Sequence, residues 1–350
     1  MRENIIASKF KFAWQALCAP CKSVLWDKFI AQIKLLVKIY KEKKMQKFKE
    51  RLIKFSLFAC AFVAVVISFA IMLTILIEAL KFFQKESVFT FLFSSQWAAD
   101  AAFVRADGSV GHGVFGASSL FWGTFYISLI AMITALPLGI MCAVYLGVFA
   151  NKKSKSLLKP VLEIIAAIPS VVFGFFALII IAPFVVWIFG AFGIEASYES
   201  ALAAGFIMGI MIVPIVASLS QDCIEAVSQK RINGALALGM TKKEVVFAVI
   251  LPEAMPGIIA ACLLALSRAL GETMIVVMAA SLRPNMSFNL LEDMTTVTVH
   301  IVQALQGDQA FDSSLTLSAF SLGLALFLLT LIINAISVHL INKFHKGKNL

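Results

Sequence analysis

Charge is scarce in this chain: Asp, Glu, Lys and Arg make up 14% of its 350 residues, against about 25% in soluble domains. Beside a hydrophobic share of 61%, that scarcity excludes a water-soluble fold and makes the chain an integral membrane protein. Of the six cysteines, none falls in a segment expected on the oxidising side of the membrane, which excludes a disulfide framework. Cys60, Cys142, Cys223 and Cys262 lie in or beside apolar runs, where cysteine acts as a small apolar residue. Cys18-Ala-Pro-Cys21 has redox or metal spacing but no second pair or nearby histidine, so no metal site is expected there.

The pattern Gly-x4-Gly-Lys-Ser/Thr is also missing, so the chain does not hydrolyse ATP by the P-loop route. No Ser/His/Asp set, metal cluster or pair of aqueous carboxylates points to catalysis, and no cofactor is expected. No basic stripe with interleaved aromatics occurs outside the membrane-flanking segments, which argues against nucleic acid as a partner. Gly111-His112-Gly113-Val114-Phe115-Gly116 matches the dinucleotide fingerprint letter for letter. No strand precedes it and a membrane span follows, so these glycines are read as loop punctuation. The absence of an internal repeat weakens the case for an inverted-repeat secondary transporter. Without a short apolar core and a small-residue cleavage site near its start, the first span is expected to stay as an uncleaved anchor.

What the chain does have is six long apolar runs, at residues 55–80, 119–149, 161–190, 201–220, 254–282 and 317–341. Each is long enough to cross a bilayer as a helix. The expected fold is therefore all-α, with six transmembrane helices in a domain covering residues 55–342. Residues 1–54 form a separate basic segment, with Leu25, Phe29, Ile33, Leu36, Val37 and Tyr40 at helical spacing among lysines. It is expected to lie on the inner membrane face, drawn to anionic lipid, or to dock on a cytoplasmic partner. A short tail, residues 343–350, closes the chain.

The positive charge is lopsided. Twenty-five of the thirty Lys and Arg residues fall before Phe55, between spans two and three, between spans four and five, or after span six. By the positive-inside rule both termini are cytoplasmic. Inside span five, Arg268 sits about 21 Å along the helix axis from either end of residues 254–282, close to the midplane of a hydrocarbon core about 30 Å thick. Glu272, one turn further on, is the other charge in that run. An intramembrane charge is by default a functional candidate. Either the two neutralise one another on one helix, or Arg268 offers a forked, permanently charged donor to a passing oxyanion.

Residues 221–252, between spans four and five, are too polar for a span and too well patterned for a slack linker. Residues 222–227 read as a short helix, and 232–238 and 242–250 as two more. Gly239 supplies the turn, Thr241 and Glu244 form a capping box, and Leu251-Pro252 closes the second helix. The product is a helical hairpin projecting from the membrane.

Asn233-Gly234-Ala235, then Gly239, then Val249-x-Leu251-Pro252 resemble the EAA loop of permease subunits from bacterial binding-protein-dependent ABC importers, which have the MetI-like fold. In that family the loop carries the coupling helix that docks on the cytoplasmic ATPase. Asn233 and Gly234 stand where the family triplet has glutamate and its first alanine. Leu266-Ser267-Arg268-Ala269-Leu270-Gly271-Glu272-Thr273-Met274 further resembles the fifth-span signature of phosphate importer permeases, closer to the PstC type than to its partner PstA. Gly123-Thr124, Pro137-Leu138-Gly139, Tyr145-Leu146, the run from Ile168-Pro169-Ser170 to Gly174, and Pro214 with Ser218 fit the same pattern. The resemblance implies a substrate path at Arg268, Glu272, Ser267, Thr273 and Ser170. It implies ATPase coupling through Asn233, Gly234, Ala235, Gly239, Leu251 and Pro252. Its expected partners are a cytoplasmic ATP-binding subunit dimer, a second PstA-like permease and a periplasmic phosphate-binding protein, in the bacterial inner membrane. Sulfate, molybdate or another small solute is the alternative cargo, and a secondary transporter the more distant one.

Overall fold

A computed structural model of the chain describes residues 23–98, 113–306 and 312–346, with side chains described for 50–98, 113–306 and 312–339. Cys18 and Cys21, the tail at 347–350 and the first two residues of the glycine-rich motif lie outside those residues. Among the described residues, six helices are long and apolar enough to cross a membrane: Glu50–Lys85, Ser118–Phe149, Ser170–Ala191, Ala201–Glu225, Lys242–Leu270 and Ser314–His339.

The chain divides into two compact units, at Met1–Met72 and Leu73–Leu350. In the first, α1 (Ser23–Lys85) begins, a helix of 63 residues that continues into the second unit. No proline interrupts it, and the expected boundary at residue 54 falls inside it. Nearly all its side chains from Glu50 to Met72 are exposed and, from Phe55, almost wholly apolar, the composition of a lipid-facing span.

The second unit is built on α3 (Ser118–Val144) and α7 (Ala201–Glu225), which pack in parallel. Lipid is as apolar as leucine, so association here rests on close fit at small residues. A Cβ at Gly205 would lie 2.7 Å from Ile130, one at Gly209 would overlap Thr134 Oγ1, and one at Gly139 would lie 2.7 Å from Val216. Around this pair, α5 (Ser170–Phe176), α10 (Leu251–Leu270) and α11 (Met274–Ala279) close a core that includes Ile127, Ile207, Met208, Ile212, Ile275 and Met294.

Several of the expected elements differ. Residues 222–225 are the last turn of α7 rather than a separate helix, because Ile224 is buried against Val227 and Val245. The apolar run at 161–190 is broken at Ile168-Pro169 between α4 (Lys152–Ala167) and α5, since proline disfavours helix in the residue before it. A π-turn at Ala177–Ile181 then leads into α6 (Ala182–Ala191), whose first turn holds Pro183. At the glycine motif, Gly113 and Gly116 lie outside regular structure as expected, but Val114–Phe115 between them pairs antiparallel with Trp97–Ala98, a preceding strand that was not expected, and a Cβ at Gly116 would collide with the Ser94 carbonyl. Phe82 packs edge-on to Phe91 in α2 (Val88–Phe93) and to Phe115 in this ribbon, at 5.5 and 5.4 Å.

Candidate functional site

The helix that carries Arg268 starts in the hairpin. Thr241 Oγ1 accepts from the Glu244 backbone N–H while Glu244 Oε2 accepts from the Thr241 N–H, the expected capping box. From there α9 (Lys242–Val245) runs through a π-turn at Val246–Ile250 into α10 without interruption. Pro252 was expected to end this helix. Instead it lies in the first turn of α10, where the π-turn before it absorbs the missing donor.

That shift moves Arg268. The span is Lys242–Leu270 rather than 254–282, and Arg268 lies in its last turn, about 39 Å from Lys242 at 1.5 Å per residue. The helix stops at Gly271, and α11 restarts at Met274. Arg268 and Glu272 are therefore not on one helix, and no ion pair joins them among the described residues. Mutual neutralisation at helical spacing is overturned by the break.

The two charges differ in exposure. Arg268 is exposed and Glu272 is 9% exposed. Beside Arg268, Ser267 Oγ donates to Asn334 Oδ1 on α13 (Ser314–Lys346) at 2.9 Å, and both residues keep open surface. Behind it, the Glu272 carbonyl accepts from Thr298 Oγ1 at 2.8 Å, and Thr298 shares a 3.0 Å hydrogen bond with Thr296. The Val297 N–H donates to Thr124 Oγ1 in the second turn of α3, so this junction lies at the bundle end opposite the hairpin. Thr273, half-buried, begins α11, its carbonyl accepting from Val277 N–H. Ser170 is not brought to Arg268: no hydrogen bond links it to either charge among the described residues. Its helix instead meets α11 where a Cβ at Gly174 would lie 3.0 Å from Met278 Sδ. Thr124, Thr296, Thr298 and Asn334 are additions to the expected set. The run Thr295-Thr296-Val297-Thr298, between the last two apolar runs, carried the signal for two of them.

At the hairpin, α8 (Gln229–Ala237) holds Asn233, Gly234 and Ala235 on adjoining faces. Ala235 is buried against Val245, Ile250 and Ala254, whereas Asn233 and Gly234 are exposed and a Cβ at Gly234 would meet nothing. Gly239 turns the chain at φ +87°, a conformation that costs any residue with a Cβ. The tip is apolar and open: Leu238 is 86% exposed and Phe247 73%. Leu251 is half-buried and Pro252 exposed at the base. Lys155 on α4 reaches Glu225 at 3.0 Å, which also accepts from Gln221 at 2.9 Å. No group of three or more metal-ligating side chains occurs among the described residues.

An apolar, membrane-crossing bundle with a projecting helical hairpin agrees with what the sequence is similar to. The chain is 28% identical over 277 residues to the probable ABC transporter permease protein YqgH of Bacillus subtilis, covering 78% of this chain and 84% of that one. It is 32% identical over 239 residues to the phosphate transport system permease protein PstC 2 of Mycobacterium tuberculosis, covering 63% and 72%. It is 31% identical over 242 residues to PstC of Mesorhizobium japonicum, covering 65% and 73%. Among solved structures, the inward-facing MetNI methionine ABC transporter superposes at a TM-score of 0.48 and 19% identity over 65% of this chain and 94% of that one. Residues 135–346, more than half of the chain, match the family described as binding-protein-dependent transport system inner membrane component, and the chain belongs to that family.

Proposed function

We infer that this chain is a transmembrane subunit through which an ATP-driven importer passes inorganic phosphate into a bacterial cell. The observation that carries the reading is Arg268: an exposed guanidinium in the last turn of a membrane helix whose other end is the hairpin. A charge in that setting needs either a partner or a polar path. The PstC names of two of the similar proteins support phosphate as the cargo.

In this reading both termini are cytoplasmic and the hairpin meets a cytoplasmic ATPase dimer at Asn233, Gly234, Gly239 and the open tip around Leu238. A second, PstA-like permease covers the face carrying Ser267, Arg268 and Asn334, and the path runs between the two. A periplasmic phosphate-binding protein delivers cargo at the end where Glu272 meets Thr298. Thr273 and Ser170 line the path further in, and the helix from Lys242 to Leu270 carries ATP-driven motion to Arg268 as the spans alternate their access. Glu272 accepts a hydrogen bond from the proton that hydrogen phosphate retains and sulfate lacks. Residues 1–54 attach to lipid at the inner face.

Uptake of labelled phosphate by proteoliposomes holding the complete complex tests this, with sulfate and molybdate as competitors. Phosphate uptake that requires internal ATP and resists a hundredfold excess of sulfate is the expected result. Preferential uptake of sulfate or molybdate would assign the same architecture to another oxyanion. Uptake that survives ATP depletion and collapses with the ion gradient would make this a secondary transporter.

A further inference from the structure

The hairpin is closed at both ends, and one closure is electrostatic. At its tip, α8 joins the helix Lys242–Leu270 through the turn at Gly239, whose positive φ needs no Cβ. Eight residues back along α8, about 12 Å from that turn, Arg231 Nη1 lies 2.8 Å from Glu253 Oε1 on the same long helix. Glu253 stands eleven residues beyond Lys242, about 16 Å along the axis. The turn, the two helical segments and the ion pair thus form a closed triangle.

Apolar contact holds it as well: Ile232 and Met240, half-buried, pack on the same cluster as Ala235. Ala235 is the one residue of α8 that is buried, and the space around Gly234 is open. Such apolar contacts resist separation but are non-directional, so they leave the angle between the two arms loosely set. The Arg231–Glu253 pair removes that freedom, and its two members sit unequally. The Glu253 side chain is 19% exposed against 62% for Arg231, so the carboxylate is the better shielded member of the pair. Glu253 also lies about 22 Å from Arg268 on a helix without interruption between them.

We propose that Arg231 and Glu253 latch α8 to the helix Lys242–Leu270, so that the coupling hairpin and the arm bearing Arg268 move as one rigid lever. Both are positioning residues: neither touches the cargo. The latch rests on the reading that an ATPase drives the hairpin, and it sets how much of that motion reaches Arg268.

Spin labels at Lys230→Cys and Leu264→Cys, in a cysteine-free background of the assembled complex, read the angle between the two arms. The intact latch gives one narrow distance distribution, unchanged between nucleotide-free and ATP-trapped states. Arg231→Glu and Glu253→Arg each broaden it and lower phosphate imported per ATP hydrolysed about fivefold, while the double exchange restores both. Glu253→Gln, which keeps the side-chain volume, broadens the distribution if a charge reversal prevents assembly. A distribution as narrow as wild type in Arg231→Glu or Glu253→Gln, or a double exchange that assembles without rescue, overturns the latch. A wild-type complex that imports no phosphate would overturn the proposed function instead, and the label distances would still decide the latch.

Discussion

Thr298 Oγ1 donates to the backbone carbonyl of Glu272 across the point where the Arg268 helix ends. The carbonyl lies in a break between two helices, where no helical N–H reaches it. A buried acceptor without a partner costs about 1–3 kcal/mol, so the threonine hydroxyl is what holds the broken segment in place.

Thr298→Val keeps the shape of the side chain and removes this donor. It is expected to destabilise the protein by about 1–3 kcal/mol, seen as a lower unfolding temperature of the purified protein in detergent. An unfolding temperature matching wild type would mean that the junction is held by something other than this bond.

Two glycines should respond in opposite directions. Gly209→Ala drives a Cβ into Thr134 Oγ1 and the Ala131 carbonyl, and overpacking of this kind costs about 1–3 kcal/mol. Gly234→Ala meets open space in an exposed helix, and replacing glycine there is worth about 0.5–1 kcal/mol of stability. Thermal unfolding of the two variants side by side checks the sign of each.

Much of this architecture was legible before folding. Apolar run length set the number of spans at six, because a bilayer imposes a minimum length on any helix that crosses it, while the bounds of the third and fifth lie elsewhere in the structure. The hairpin turn at Gly239 and the capping box at Thr241 and Glu244 follow from local chemistry, and both are present. What misled was proline. Pro252 reads as a helix end, yet a π-turn carries the helix through it, and that displaced the whole of span five relative to Arg268. Hydropathy alone also cannot see the stop at Gly271, since α11 beyond it is as apolar as the helix before.

The site was legible in its parts and not in its assembly. Arg268, Ser267 and Glu272 are visible as polar residues in an apolar run, but the helix break that separates Glu272 from the other two is not. Asn334 and Thr298 lie 67 and 26 residues from the groups they bind, and nothing in local spacing connects them.

His300 makes folding sensitive to acid. It is buried in α12 (Val297–Leu305), beside Trp97 at 5.6 Å between rings, and burial pushes its pKa down to about 4 from 6.5. Between those values the unfolded chain binds a proton that the folded chain refuses. Stability therefore falls as pH drops from about 6.5 toward about 4, by roughly 3 kcal/mol in all. His300→Phe should flatten this dependence, measured as unfolding temperature at pH 7.5 and pH 4.5. An equal acid loss in wild type and variant would place the sensitivity elsewhere.

The central claim is that Arg268 contacts the cargo, and ATP-driven uptake of labelled phosphate by complexes carrying Arg268→Ala tests it most directly. Complexes that assemble and hydrolyse ATP like wild type should import phosphate at least a hundredfold more slowly, with partial recovery in Arg268→Lys. Import at the wild-type rate by an Arg268→Ala complex that is intact and hydrolysing ATP would contradict the account.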